Sequence, residues 1–488
     1  MRAAGTLILA TTLPGTAATA AALLGALAVV VALALLMRRR PEAFPLLAIL
    51  ALPFRVPISA DGRTVNLLIP LYLVVAAGTL SQLALRFRAH LRRGIHDGDD
   101  LGEERRARSG GERVGLRRPS AWVSPRGLEW LLLASVVAYA AQATYSTDHA
   151  KAAENIAFFY LPFGLLFMGL RDVRWTRELL LACLGLAVAL AVVFAGVGFV
   201  EYYRKTLFLN PKVVAANQYD NYFRVNSVFF DPSIYGRFLA LVMIALTTVV
   251  LWSRRRRDHL VGAAVLAWLL AGLVTSFSES SITALLLGLA VLAAFRWDVR
   301  GTVYVAVALV AIAAVVLEAA PASLHFGLKG SGGSANNATG GRTKLISGGL
   351  ELFAKRPLQG YGAGSFETEY ERHGKTNAQN ATSASHTIPV TVAAEQGIVG
   401  LAVYVAFLTV AILVLFAGAG RSPPRVAIAA CFAALVLHTW TYADFLEDPL
   451  TWTLLGIGVA CARAGTSIWE TRSRVPLDSV LSAGHHSF

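Results

Sequence analysis

The sequence predicts an all-α protein that crosses a membrane many times, and three observations carry that prediction. Of 488 residues, 56% are hydrophobic and only 15% are charged, whereas a soluble domain carries about 25% charged residues. Apolar runs long enough to cross a bilayer, roughly 20 residues each in helical form, recur along nearly the whole chain. The runs are continuous, like that from Leu179 to Val200, and lack the alternation of a barrel strand. Helices are then the form that bonds every backbone group within lipid. The expectation is a polytopic transmembrane bundle of about 12–14 spans.

Taken in order, spans are expected near 17–37, 42–58, 65–85, 128–145, 153–170, 179–200, 232–252, 259–275, 280–295, 301–320, 388–418, 426–442 and 450–464. The first apolar stretch continues to Met37 and ends on Arg38-Arg39-Arg40. It is too long for a cleaved signal peptide, and reads as a retained span or as a hairpin broken near Pro14. Basic connections fall at 38–40, 86–126, 171–177, 253–258, 296–300, 421–425 and beyond 463. From 86 onward they occur at every second loop, which puts them and the C-terminus in the cytoplasm. The net charge of +14 is thereby explained as cytoplasmic loop charge, and no nucleic-acid partner is expected. Cys183, Cys431 and Cys461 lie in apolar runs without metal-ligand spacing, so neither a disulfide nor a metal site is expected.

These features divide the chain. N-terminal spans occupy 1–85, a basic linker rich in Arg, Asp, Glu and Gly occupies 86–126, and a transmembrane core occupies 127–320. A large external loop follows over 321–385, then C-terminal spans over 386–465 and a cytoplasmic tail over 466–488. The linker composition reads as disordered. A second long external connection runs from Glu201 to about Asp231. Within the large loop, Gly330–Gly341 reads as flexible. Arg342 to Lys355 reads as a helix, with Leu345, Ile346, Leu350 and Phe353 on one face and Pro357 ending it. Such an amphipathic helix suits the outer membrane interface.

Candidate chemistry gathers on the external side. Arg224 precedes the span that starts near Asp231, and Arg237 sits inside that span. A cation within lipid faces either a partner or a wet cavity. For Arg237 the choice is a pair with Asp231 or Glu395, or an anion site, since a guanidinium fork matches phosphate oxygens. Arg342 opens the helical segment of the loop. His386 stands where that loop re-enters the membrane, either capping the span or taking a proton near pH 7. Glu395, further along, is an intramembrane carboxylate that serves either a salt bridge to an arginine or the chemistry itself. His438 reads as a bonded core residue. Glu279, Asp444, Glu447 and Asp448 sit in external turns and are expected to be solvated.

Three blocks give the chain a family resemblance over roughly residues 125–465. The first is Arg224-Val225-Asn226-Ser227-Val228-Phe229-Phe230-Asp231-Pro232-Ser233 with Arg237. The second is Arg342 followed by Leu352-Phe353-Ala354-Lys355-Arg356-Pro357-Leu358-Gln359-Gly360-Tyr361-Gly362-Ala363-Gly364. The third is His386-Thr387, nine residues, then Gly397-Ile398-Val399-Gly400. Together they resemble the O-antigen ligase and O-antigen polymerase superfamily, with Thr387 departing from the usual Asn, Ser or Gln. The resemblance implies a GT-C-like, metal-independent, inverting glycosyltransferase without cofactor. It implies an undecaprenyl-diphosphate-linked glycan as donor, a glycan or glycolipid hydroxyl as acceptor, and a site on the outer face of the bacterial cytoplasmic membrane. His386, Arg224, Arg237 and Glu395 would be catalytic, and Arg342, Asp231 and Tyr235 would bind substrate. The alternative is a lipid-linked glycan flippase or polysaccharide transporter, which internal repeats would favour; no convincing repeat is visible.

Overall fold

The computed structural model describes residues 16–60, 63–96, 123–209, 217, 223–297, 301, 304, 342–374, 385 and 387–464. The expected span at 301–320, most of the 86–126 linker, the Gly330–Gly341 stretch, His386 and the tail after 465 therefore lie outside the described residues. In chain order the helices are α1 (Thr16–Arg39), α2 (Ala43–Ala51), α3 (Ile69–His96), α4 (Pro125–Ala143), α5 (His149–Asn155), α6 (Leu161–Arg171), α7 (Arg177–Arg204), α8 (Pro232–Trp252), α9 (Arg256–Thr275), α10 (Glu279–Arg296), α11 (Arg342–Lys355), α12 (Phe366–Arg372), α13 (Ile388–Phe416), α14 (Pro423–Thr441) and α15 (Pro449–Ala464). Among the described residues nine helical segments are long and apolar enough to cross a membrane. The all-α polytopic expectation holds.

Local chemistry explains the boundaries. Pro232 opens α8, where a missing N–H costs nothing, and the Asp231 side chain accepts from Ser233 N at 2.6 Å. Asp148 caps α5 through Lys151 N at 2.9 Å. A π-turn over Ile156–Tyr160 joins α5 to α6 just before Pro162. Proline removes a helical hydrogen bond, and a π-turn absorbs that mismatch.

Two local expectations are corrected. The run near 42–58 is not one helical span. It forms the short α2, and then a two-stranded antiparallel hairpin, β1 (Val56–Ala60) paired with β2 (Arg63–Leu67), in which Pro57 opposes Asn66. Pro53 and Pro57 disfavour a longer helix. The Asp61-Gly62 dipeptide between β-branched flanks was the available hairpin signal. Secondly, α3 continues to His96, past the start of the expected linker.

The bundle is organised around α8, which packs against α7, α9, α10 and α14. Lipid tails are as apolar as leucine, so close packing rather than water exclusion holds helices together in a membrane. Small residues supply that closeness: Ile244 of α8 packs against Gly288 of α10, and Ser281 of α10 lies against Gly236 of α8. The helix α1 is mostly exposed, as suits a lipid-facing periphery.

One end of the bundle carries the basic turns at 171–177, 253–258 and 421–425. At the other end, the loop end, the described part of the large loop, 342–374, is folded down onto the helices. The segment 357–364 lies against a break in α13, where Gly397 adopts φ +63°. Tyr361 N donates to Ala394 O at 3.3 Å, Gly362 N to Glu395 O at 2.7 Å and Ile398 N to Pro357 O at 2.7 Å. The α4–α5 turn grips the opposite side: Thr147 N donates to Tyr361 O at 3.1 Å, Ser146 Oγ to Ala363 O at 2.7 Å and Tyr145 Oη to Gln359 O at 2.9 Å. The expected face of α11 is also revised. Leu345, Gly348, Gly349 and Leu352 pack inward, with Tyr370 against Gly348 and Val390 and Phe366 against Gly349, whereas Leu350 is exposed. The two glycines admit neighbouring side chains that an apolar residue would keep out.

A Cβ on Gly397 would run into the Leu358 carbonyl, and the positive φ adds strain of about 1–3 kcal/mol for any other residue. Gly397→Ala is expected to lower the thermal midpoint of the detergent-purified protein clearly. Gly185→Ala in α7, where a Cβ meets nothing within 4 Å, should leave it nearly unchanged; thermal unfolding followed by tryptophan fluorescence checks both.

Candidate active site

The loop end gathers the charged residues singled out in the sequence. Arg224 lies in the chain leading to α8. Its Nε donates to Ser276 O at 3.3 Å, and its own backbone is clamped by the Asn217 amide through two bonds of 3.0 Å. Among the described residues the Arg224 guanidinium has no carboxylate partner. Ser276 also packs its hydroxyl near Gly236, the residue before Arg237. The two arginines thus gather around one helix start and one turn, that between α9 and α10.

Arg237 is used differently. It is only 1% exposed and pairs with Asp448 at 3.0 Å, while Nη1 donates to the carbonyls of Ala443 at 3.3 Å and Asp444 at 3.4 Å. Its partner is neither Asp231 nor Glu395. Asp448, expected in a solvated turn, is 2% exposed, and its Oδ1 also caps α15 through Leu450 N at 2.9 Å. Burial pushes the Asp448 carboxyl up from its ordinary range, and the Arg237 guanidinium pulls it back. The ion pair fastens the 443–448 turn to α8. The Nε of Arg237 has no hydrogen-bond partner among the described residues.

Glu395 is buried, and its two oxygens accept from Gly364 N at 2.9 Å and Phe366 N at 3.1 Å. The expected pairing with an arginine is not observed among the described residues. Glu395 instead holds the glycine-rich segment and the start of α12. Glu201, at the end of α7, has the same design. It is fully buried and accepts from Phe208 N at 3.1 Å and from Ser227 N at 2.7 Å. Ser227 is held at φ +52° and donates through Oγ to Phe194 O at 2.8 Å. Sequence reading treated Glu201 only as the start of a loop; the available signal was a carboxylate closing a long apolar run.

Two more candidate residues have structural partners. Tyr235 is fully buried against Gly198 and Gly272; those glycines make room for its ring between α7 and α9. Asp231 caps α8 as described above, and also bonds Tyr442, whose phenol burial holds well above its usual range. His438 is a bonded core residue, as expected: Nε2 meets Ser281 Oγ at 3.1 Å and Ser280 Oγ at 3.3 Å. Glu279 is exposed, also as expected. Glu447 is partly buried and accepts from Asn155 Nδ2 at 2.9 Å. Burial and the nearby Asp444 push its carboxyl up, opposed by Lys151. It lines a cavity of about 70 Å³ with Tyr139, Tyr160, Glu395 and Tyr404.

His386 and the Arg342 side chain lie outside the described residues. Arg342 is the first residue of α11, and the buried Ser385 donates through its backbone N to Thr391 Oγ1 at 3.0 Å while its own Oγ shares a hydrogen bond with the same oxygen, also at 3.0 Å.

The folded-down loop, the α13 break and the preceding helices form one continuous stretch of chain, and that stretch is what known proteins share. Residues 264–405 match the O-antigen ligase family. The match bears out the resemblance to the O-antigen ligase and polymerase superfamily, and it implies glycosyltransferase-type activity on a lipid-linked glycan and an acceptor. It contains the second and third sequence blocks and begins after Arg237. No curated protein sequence matches the chain. Among the described residues no cluster of His, Cys, Asp or Glu is arranged to hold a metal ion.

Removing one partner of a buried ion pair costs about 3–5 kcal/mol, because the other charge is left stranded. Arg237→Met is therefore expected to destabilise the protein severely, and Arg237→Met with Asp448→Leu to recover most of the loss. Thermal midpoints of the three purified proteins check this; equal midpoints for the single and double variants would contradict a structural role for the pair.

Proposed function

We propose that the protein transfers a glycan from an undecaprenyl-diphosphate carrier to an acceptor hydroxyl on the outer face of the bacterial cytoplasmic membrane, as a ligase or polymerase. The observation that carries this reading is the state of Arg224. It is a cation at the loop end, held in place through Nε and backbone, with no carboxylate among the described residues to neutralise it. An oriented guanidinium next to the membrane surface suits a diphosphate, which it binds through paired charge-assisted hydrogen bonds. The alternation of basic turns supports placing the loop end outside.

The reaction follows from that placement. The acceptor oxygen attacks the anomeric carbon of the donor from the face opposite the diphosphate. The bond between the anomeric carbon and the phosphate oxygen breaks, with inversion, and the carrier diphosphate leaves with the electron pair. Arg224, aided by Arg342, stabilises the charge that develops on the leaving oxygen. His386 takes the proton of the acceptor hydroxyl. Arg237 acts through the 443–448 turn, which its ion pair with Asp448 fastens behind the site. Glu395 acts by holding the glycine-rich segment in place. Asp231 contributes by fixing the start of α8. Residues 342–374 of the large loop control access of the acceptor.

Removal of one preorganised donor to a developing anion lowers turnover by about 10²–10³-fold. Arg224→Ala and His386→Ala are each expected to lose at least that much in transfer from a purified lipid-linked donor, with the thermal midpoint retained. Normal turnover in either folded variant would dismiss its assigned role. The product separates the two activities: longer carrier-linked chains for a polymerase, glycan on a different acceptor for a ligase.

A further inference from the structure

At the opposite end of the bundle lies a cleft of about 580 Å³ that the transfer reaction does not use. It runs between α7, α8, α14 and α15, with α2 at its side. Along α8 its wall extends from Phe238 to Trp252, about 21 Å at about 1.5 Å per residue. That depth exceeds one leaflet of the hydrocarbon core, about 15 Å, half of its roughly 30 Å thickness. Leu181 on its flank is 40% exposed, so the cleft reaches the outer surface of the bundle, where lipid lies.

The chemistry of the wall selects the occupant. Its lining is overwhelmingly aliphatic and aromatic. The few hydroxyls on it are already committed: Thr248 Oγ1 donates to Ile244 O at 3.1 Å, Thr453 Oγ1 to Pro449 O at 2.8 Å and Ser253 Oγ to Asp258 Oδ2 at 2.6 Å. A sugar bound there would find few partners for its own hydroxyls and would lose its hydration. A hydrocarbon chain has no such cost. The mouth, by contrast, is charged. Arg177, Arg254 and Arg255 line it and are exposed, and Asp258 is the carboxylate among them. The balance is cationic, at the level where lipid headgroups sit, and Trp252 stands beside them as an interfacial aromatic.

We infer that this cleft binds an anionic phospholipid of the leaflet at the basic end, its acyl chain between α7, α8 and α14 and its headgroup phosphate on Arg254 and Arg255. Basic residues at a membrane surface favour anionic lipid by about fivefold each, so the selectivity resides in the mouth and the occupancy in the apolar wall. The lipid would fill space that lies directly beneath the start of α8 and the Arg237–Asp448 pair, and so supports the floor of the loop end.

The test uses the full chain, purified in mild detergent with equal phosphatidylglycerol and phosphatidylcholine, and native mass spectrometry of retained lipid. The wild type is expected to keep one phosphatidylglycerol in clear preference to phosphatidylcholine. Ala245→Trp, which fills the wall, should abolish retention of both, and Arg254→Gln with Arg255→Gln should keep retention but remove the preference. Thermal midpoints confirm folding, and Ala427→Trp serves as a second wall-filling variant should Ala245→Trp not fold. Equal retention of the two lipids by the wild type, unchanged retention in a folded wall-filling variant, or a bound species with the mass of a polyprenyl phosphate would each overturn the inference.

Discussion

Backbone that is neither helix nor strand can be buried against a membrane bundle only where its N–H groups and carbonyls find partners. The loop end meets that constraint with two buried glutamates. Glu201 takes the N–H groups of Phe208 and Ser227, and Glu395 takes those of Gly364 and Phe366. Each joins the rim of a helix bundle to an irregular connection, and each leaves a side chain of interest in a defined place: Arg224 beyond the first, α12 and the glycine-rich segment beyond the second. An unsatisfied buried donor costs about 1–3 kcal/mol, so the carboxylates do more to fix these loops than their charge alone implies.

The same end shows how charges divide their work in a low-dielectric setting. Arg237 and Asp448 are both buried and paired, and the pair ties the turn before α15 to α8. Among the described residues the Arg224 guanidinium meets a carbonyl, that of Ser276, and no carboxylate. A guanidinium already paired to a carboxylate has little left for a phosphate; one held by carbonyls retains its full charge. On the function proposed above, this difference, rather than the presence of arginine as such, separates the scaffold cation from the binding cation.

The close approach of residues 357–364 to α13 gives the glycine-rich segment its meaning. Gly360 and Gly397 face the partner backbone from opposite sides: a Cβ on the first would meet the Glu395 carbonyl, and on the second the Leu358 carbonyl. Two backbones can meet at this distance only without side chains. The α4–α5 turn then closes the segment from the other side through Ser146 and Thr147. Residues 357–364 of the large loop are therefore anchored to the bundle on two sides.

Hydropathy by itself determined the membrane class and most helix positions, because those follow from local composition and from the cost of placing charge in lipid. The spacing of short motifs likewise pointed to the family whose model matches residues 264–405. Tertiary structure decided the rest. It chose Asp448 as the partner of Arg237, turned Glu395 from an arginine partner into a loop anchor, buried Tyr235 in a gap made by Gly198 and Gly272, and gave Glu201 a role. Each of these depends on contact between residues distant in sequence, and a linear pattern carries no information on which remote backbone N–H or carboxylate will share a buried site.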